Sequence, residues 1–351
     1  MKRCKLTLLF LLYSCSYLAH CAVILQYHHV LKYTSSGTSI SPSQFEKHLQ
    51  YLEDNNFNVV PLSDIMNSIK KQQPLLNKTV AITFDDGYRD VLDNAKPLLD
   101  KFNYPYTIFI NPTMIDKNFA GFLSWQQLKL MADQGAIIAN HGLDHHSLAR
   151  IPQGFSEQQW LEKQTILLIE AEQLIRANTG QNWQYLAFPF GEFTPAVQAW
   201  LTDLDYIGFS QQSGAVGLAT DLTAVPRYPV SAPYDQIPKL VDKLNSLPFT
   251  MRLSNDHAKT VHKHQQSKSI TFEVIVDDFN PTQLNCYISG LGKQKIDWLN
   301  QESFTVTYSA PLPVGRVRCN CTAPSISEPG RYYWYSKPWF ILQENGDWYP
   351  L

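Results

Sequence analysis

Two short stretches of this 351-residue chain hold the residue types that metal and hydrolytic chemistry needs. The first is Thr83-Phe84-Asp85-Asp86-Gly87. Its adjacent carboxylates follow an apolar, β-branched run, and neighbouring side chains at a strand end point different ways. One carboxylate can therefore bind a metal while the other stays free as a base. Gly87 permits a sharp turn there. Asp-Asp-Gly also occurs in plain turns, so this stretch alone does not decide. The second is His141-Gly142-Leu143-Asp144-His145-His146-Ser147-Leu148. The spacing of His141 and His145 puts two imidazoles on one side of a helical turn, where they can chelate one ion, and His146 points elsewhere. Three of the ten histidines fall within six residues, a concentration that packing does not explain. One carboxylate with two imidazoles is the ligand set of a catalytic metal with open positions.

The elements that must position these residues alternate regularly. Residues 23–27 form a buried strand that ends at His28-His29. A helix starts at Ser41-Pro42-Ser43, with Phe45, Leu49 and Leu52 at helical spacing. Strands follow at 58–60, 80–84, 106–110, 136–139, 186–188 and 206–209. Helices fall between them at 63–70, 90–102, 124–134, 156–178 and 194–202. About seven strands alternating with helices over residues 22–230 predict a parallel sheet with crossover helices, closed or open. Asp85, His141 and the 190–192 turn all follow strand ends, where sites gather in such folds. Residues 251–268 are polar, hold His257, His262 and His264, and read as a linker. From 269 to 351, short β-branched and aromatic runs between Pro and Gly turns predict a small C-terminal β-sandwich.

Thr83–Gly87 together with His141-x-x-x-His145-x-x-Leu148 resembles the polysaccharide deacetylase (NodB-homology) family, carbohydrate esterase family four. Leu186-Ala187-Phe188-Pro189-Phe190-Gly191 resembles the aromatic-Pro-aromatic-Gly turn of that family. Leu25-Gln26-Tyr27-His28-His29-Val30 and residues 41–62 are similar to the branch acting on poly-N-acetylglucosamine. The resemblance covers about residues 22–250 and implies a distorted (β/α) barrel of about seven strands. It implies that Asp86, His141 and His145 hold a divalent metal, commonly zinc. It also makes Asp85 the general base and the Phe190 backbone N–H part of the oxyanion site. The implied activity is removal of N-acetyl groups from a glycan that contains N-acetylglucosamine. The chain departs from the pattern in three places. Ala187 stands where the family has Arg, residues 222–250 contain no His for the late Leu-x-His motif, and no Asp/Trp element is visible around 206–214. The general acid is then unassigned, with His28 or His29 at the first strand end as candidates. Arg227 is expected at the substrate site, orienting a carboxylate such as Asp85, or else in a surface salt bridge.

Charge and leader bound the setting. Lys2, Arg3 and Lys5 precede an apolar run at 6–13, the layout of a secretory signal over residues 1–21. Export to the periplasm, cell surface or medium follows. Leu18-Ala19-His20-Cys21 faintly resembles a lipoprotein box, in which a lipid on Cys21 would attach the protein to a membrane. Losing residues 1–21 removes three cations and leaves a net charge of −5, which argues against nucleic acid as a partner. Cys319 and Cys321 face the same way on a strand, and either could bridge to Cys286, unless all three stay free. Trp125 and Trp183, and the run Tyr332-Tyr333-Trp334-Tyr335, suit either sugar stacking or packing. Two other readings remain open at this level: a glycan-binding protein on an inactivated barrel, and an O-acetyl esterase.

Overall fold

The structure is a computed structural model that describes residues 21–32, 37–254, 259–263, 269–308 and 310–351. The expected leader, apart from Cys21, lies outside these residues, as do His257 and His264. The N-terminal part runs β1 (Ala22–Tyr27), β2 (His29–Val30), β3 (Ser39–Ile40), α1 (Pro42–Asp54), β4 (Asn58–Val59), α2 (Leu62–Lys70) and β5 (Thr79–Phe84). It continues with α3 (Lys96–Phe102), β6 (Thr107–Ile110), α4 (Pro112–Asp116), α5 (Trp125–Asp133), β7 (Ile137–Asn140) and α6 (Glu157–Thr179). Then come β8 (Tyr185–Ala187), α7 (Pro195–Asp203), β9 (Ile207–Phe209), β10 (Tyr228–Pro229) and α8 (Ile237–Leu244). The main sheet is parallel in the order β10-β1-β5-β6-β7-β8-β9, with β4 also on β5. This is the expected distorted (β/α) barrel. Its seam between β9 and β10 has no ladder. Residues 225–228 cross it instead, Val225 bridging to Phe209 and Tyr228 pairing with Leu25.

The strands read as continuous apolar runs because both of their faces are covered. Val23, Leu25 and Tyr27 of β1 join one buried cluster with Phe45 of α1 and Leu99 of α3. Ala22 and Ile24 of the same strand join another with Ala81, Phe109, Ala139 and Tyr185. Capping explains the sharp helix starts. Ser156 with Gln159 opens α6, and Ser124 with Gln127 opens α5, each as a full capping box. A π-helical turn at Val91–Ala95 precedes α3 inside the single helix expected at 90–102.

The C-terminal part begins earlier than the sequence suggests. β11 (Ser246–Pro248) already pairs in parallel with β20 (Tyr332–Ile341). The expected linker carries β12 (Met251–Leu253) and β13 (Val261–His262). Three residues with the buried-exposed-buried order of Met251, Arg252 and Leu253 are too few to show as a strand pattern. The remaining strands are β14 (Ser269–Val274), β15 (Asn285–Ile288), β16 (Gly292–Lys293), β17 (Lys295–Trp298), β18 (Ser303–Thr307) and β19 (Gly315–Pro324). They build two sheets, β11-β20-β19-β15-β16 with β13 on β20, and β12-β14-β18-β17. Phe272, Phe304 and Val306 of the second sheet share one core with Val317, Cys319 and Trp339 of the first. Cys286 is bonded to Cys321, its register partner across β15 and β19, and Cys319 is free and buried.

The aromatic run on β20 makes packing contacts along its length. Trp334 meets Tyr228 edge-on at 5.7 Å, the Tyr333 hydroxyl donates to Asp278, and Tyr335 packs against the C-terminal core. Cys21 is also buried, and its Sγ accepts from Arg331 Nη2 at 3.1 Å. A lipid at that sulfur would have to displace Arg331. Among the described residues, no helix is long and apolar enough to cross a membrane.

Candidate active site

β5 delivers the paired carboxylates. The Asp85 backbone N–H still donates to Tyr27 O at 3.0 Å, continuing the ladder with β1. Asp86 then adopts φ +73 and Gly87 φ +78, so the chain turns back on itself and the two carboxylates diverge. A Cβ at Gly87 would lie 3.0 Å from Ile110 Cγ2 on β6, in a conformation L side chains rarely adopt.

β7 and the loop after it deliver the imidazoles. The helical-turn reading of His141 and His145 is corrected here: Gly142 has φ +80 and His145 φ +61, and the segment is a loop. Two left-handed residues fold the loop tightly enough to give the same convergence. Asp86 Oδ1 lies 3.2 Å from His141 Nε2 and 3.3 Å from His145 Nε2. All three ligand atoms fall within 4.8 Å of one another. His141 Nδ1 is 2.9 Å from the Ala187 carbonyl, which can only accept, so Nδ1 carries the proton and Nε2 keeps its lone pair. That Nε2 is buried without a hydrogen-bond partner. An orphaned buried nitrogen facing a carboxylate fits a metal ion. Asn111 Nδ2 donates to the carbonyls of His141 (2.5 Å) and Gly142 (3.1 Å), and Asn140 Oδ1 accepts from Gly142 N at 2.7 Å. Asn140 in turn donates to Glu172 of α6 at 2.9 Å. His146 pairs with Asp144 at 2.6 Å and faces solvent.

Asp85 is fully buried and held by three hydrogen bonds from two side chains. Arg227 Nη1 and Nη2 reach its two oxygens at 2.6 and 2.8 Å, and Gln26 Nε2 donates to Oδ2 at 2.6 Å. Arg227 also donates from Nε to Ser210 O at 3.1 Å. Arg227 has no exposed surface, so the expected contact with substrate is corrected: its guanidinium orients Asp85 from within the barrel and is itself held by Ser210 and Thr83. Burial would raise Asp85, but the Arg227 guanidinium and His141 outweigh it and hold the carboxyl at about 2. Burial would likewise raise Asp86, yet the His141 and His145 imidazoles facing it hold it well below the usual carboxylate range. Burial would lower His141, but Asp85 and Asp86 raise it. The site therefore draws positive charge to the point between the three ligands.

His28 and His29 separate. His28 Nε2 lies 3.9 Å from Asp85 Oδ2, with 15% of its side chain exposed. His29 turns away, its Nδ1 2.6 Å from Asp90 and its ring stacked on Tyr88. Phe190 sits in a 3-10 turn with φ +60, and its ring meets His145 edge-on at 4.4 Å. Trp125 donates to the Asp116 carboxylate, and Trp183 stacks on Tyr185. Gln26, Asn140 and Glu172 escaped the sequence reading. Gln26 left a trace, being the one polar residue in the strand Ala22–Tyr27. Asn140 and Glu172 left none, because their role depends on packing α6 against β7.

Residues 72–208 match the family model described as polysaccharide deacetylase. The match includes Asp85, Asp86, His141, His145 and Phe190, and stops short of His28 and Arg227. YxkH of Bacillus subtilis (strain 168) is 29% identical over 213 residues, which cover 59% of this chain and 71% of that one. The poly-beta-1,6-N-acetyl-D-glucosamine N-deacetylase of Staphylococcus aureus (strain MRSA252) is 27% identical over 239 residues, covering 61% and 80%. The solved Streptococcus pyogenes deacetylase PplD, in complex with acetate, shares the fold with a TM-score of 0.58 at 20% identity, covering 64% of this chain and 99% of that one. A barrel that brings the Asp-Asp and His-x-x-x-His motifs to one point, inside the region of the family match, marks residues 72–208 as a polysaccharide deacetylase domain.

Proposed function

We propose that this protein is an exported N-deacetylase of poly-β-1,6-N-acetylglucosamine that uses a divalent cation, zinc in the first instance. The convergence of Asp86, His141 and His145 beside an ionised Asp85 carries this reading. Its likeness to the Staphylococcus aureus enzyme supports the substrate. A divalent cation held by these three residues would polarise an acyl oxygen and acidify a neighbouring water, the chemistry that a base as weak as Asp85 needs.

Asp85 takes the proton of the attacking water, since Asp86 is committed to the two imidazoles. Arg227 and Gln26 fix the carboxylate so that it needs no reorganisation to do so. The Phe190 backbone N–H would stabilise the tetrahedral oxyanion, a role supported by the contact of the Phe190 ring with His145. An amide leaves as an amine only if its nitrogen gains a proton. His28, 3.9 Å from Asp85, would pass that proton from Asp85 to the leaving nitrogen by way of a bridging water. The alternative of an inactivated barrel finds no support in a site that keeps base, ligands and their supports together.

The test is acetate release from β-1,6-linked N-acetylglucosamine oligomers by zinc-loaded protein. Wild type should release acetate, Asp85→Asn and His141→Ala should lose at least about 100-fold, and chelator should abolish release. His28→Ala should lower kcat on the amide far more than on an O-acetyl ester, whose leaving alkoxide needs less protonation. Release from O-acetyl esters alone would overturn the amidase reading.

A further inference from the structure

The C-terminal part of the chain reaches the candidate active site, and nothing in the reaction described so far uses it. Glu192, two residues after Phe190, is completely buried. It accepts from Ser147 Oγ at 2.6 Å, from Arg150 Nε and Nη2 at 2.7 Å each, and from the Tyr349 hydroxyl at 2.6 Å. Ser147 lies two residues after His145. One carboxylate therefore ties the loop bearing a metal-ligand histidine to the turn bearing the oxyanion donor. Tyr349 closes the arrangement from outside the barrel. Its carbonyl accepts from Arg150 Nη1 at 2.8 Å, and the Arg150 guanidinium lies 4.7 Å from the Tyr349 and Trp348 ring centroids. A second contact is independent of the first: Arg316 of β19 donates to the Phe190 carbonyl at 3.0 Å.

Backbone strain says why such a clamp is needed. His145 has φ +61 and Phe190 φ +60. A left-handed non-glycine residue, a bulky one above all, persists only when its surroundings over-determine it. The two strained residues touch each other through their rings. Each is followed two positions later by a ligand of the same buried network.

Resting on the deacetylase reading, we propose that Tyr349, acting through Glu192 and Arg150, is a positioning residue of the active site. It holds His145 and Phe190 in their strained working conformations, so that the C-terminal part completes a site whose reacting groups all lie in the barrel.

The experiment compares full-length wild type, Tyr349→Phe, a chain lacking residues 348–351, and Tyr332→Phe as control. The Tyr332 hydroxyl binds the Asp242 carbonyl instead. Tyr349→Phe keeps the ring over Arg150, so it should fold with wild-type far-UV circular dichroism. Three readouts are taken: amide hydrogen exchange of residues 142–150 and 188–193, the zinc dissociation constant, and kcat and KM for acetate release. Exchange in both segments should quicken in Tyr349→Phe and more so in the truncation. Zinc affinity should weaken about 10-fold in the truncation, the scale of losing an outer support of a ligand. The cost should fall on kcat, about 5-fold for Tyr349→Phe and 100-fold for the truncation, with KM nearly unchanged. Tyr332→Phe should match wild type throughout. Unchanged exchange and zinc affinity in both Tyr349 variants would overturn the proposal. An equal loss in Tyr332→Phe would do so too, because it would show only general destabilisation. If wild type releases no acetate, the deacetylase reading fails, and exchange and zinc affinity still decide whether Tyr349 positions these two segments.

Discussion

Asp85 and Asp86 are chemically identical neighbours that the structure gives different surroundings. The difference lies in what faces them: a bidentate guanidinium and a side-chain amide for Asp85, two imidazoles for Asp86. The Arg227–Asp85 pair is fully buried, so removing one partner strands the other charge. Arg227→Met should therefore cost about 3–5 kcal/mol in urea unfolding. Arg227→Lys keeps the charge but loses the fork, and should fall between that variant and wild type. Equal midpoints for the Met variant and wild type would mean that Asp85 is not held as an anion. The sequence named Arg227 as a partner for Asp85 but not its burial. Val225-Pro226-Arg227-Tyr228 looks like any short extended segment until it is laid across the barrel seam.

Among the elements, α6 does more than cover the sheet. Its Glu172 is buried against Asn140 at the end of β7, and burial pushes its carboxyl up to about 7, with the Asn140 bond opposing. The folded state then holds a proton that the unfolded chain gives up near 4.5. The sign follows: stability linked to this group is full below about 4.5 and is lost as pH rises through about 7. Glu172→Gln should remove that loss, gaining up to about 3 kcal/mol on wild type by pH 8 while matching it near pH 4. Urea midpoints across that range check it. β9 is held as closely. A Cβ on Gly208 would lie 2.4 Å from Thr223 O and 2.7 Å from both Leu201 Cδ1 and Phe188 Cζ. Gly208→Ala should cost about 3 kcal/mol or more in the same assay, since two of the three obstacles are a backbone carbonyl and a core ring.

For the whole molecule, barrel and C-terminal sheets are joined by β11 on β20, by Trp334 on Tyr228 and by the Arg150–Glu192–Tyr349 network. The Cys286–Cys321 bond closes a 35-residue separation inside the C-terminal part. Reduction, or Cys286→Ser, should lower stability by about 4 kcal/mol, while Cys319→Ser should leave thermal unfolding sensitive to reductant. The sequence alone singled out Asp85, Asp86, His141 and His145, which the fold brings together, because adjacent carboxylates, spaced imidazoles and the strand-end turns are local patterns. It also determined the barrel class, because alternating apolar runs are local too. It left open which cysteine pairs with Cys286, which of His28 and His29 faces the site, and where Arg227 points. Those depend on strand register, on the hand of a turn and on closure of the seam. Only the tertiary structure decided that His141 and His145 meet through a left-handed loop rather than a helical turn. Only it brought Tyr349 to Glu192, 157 residues away, because a contact across that distance leaves no periodic trace in a single chain.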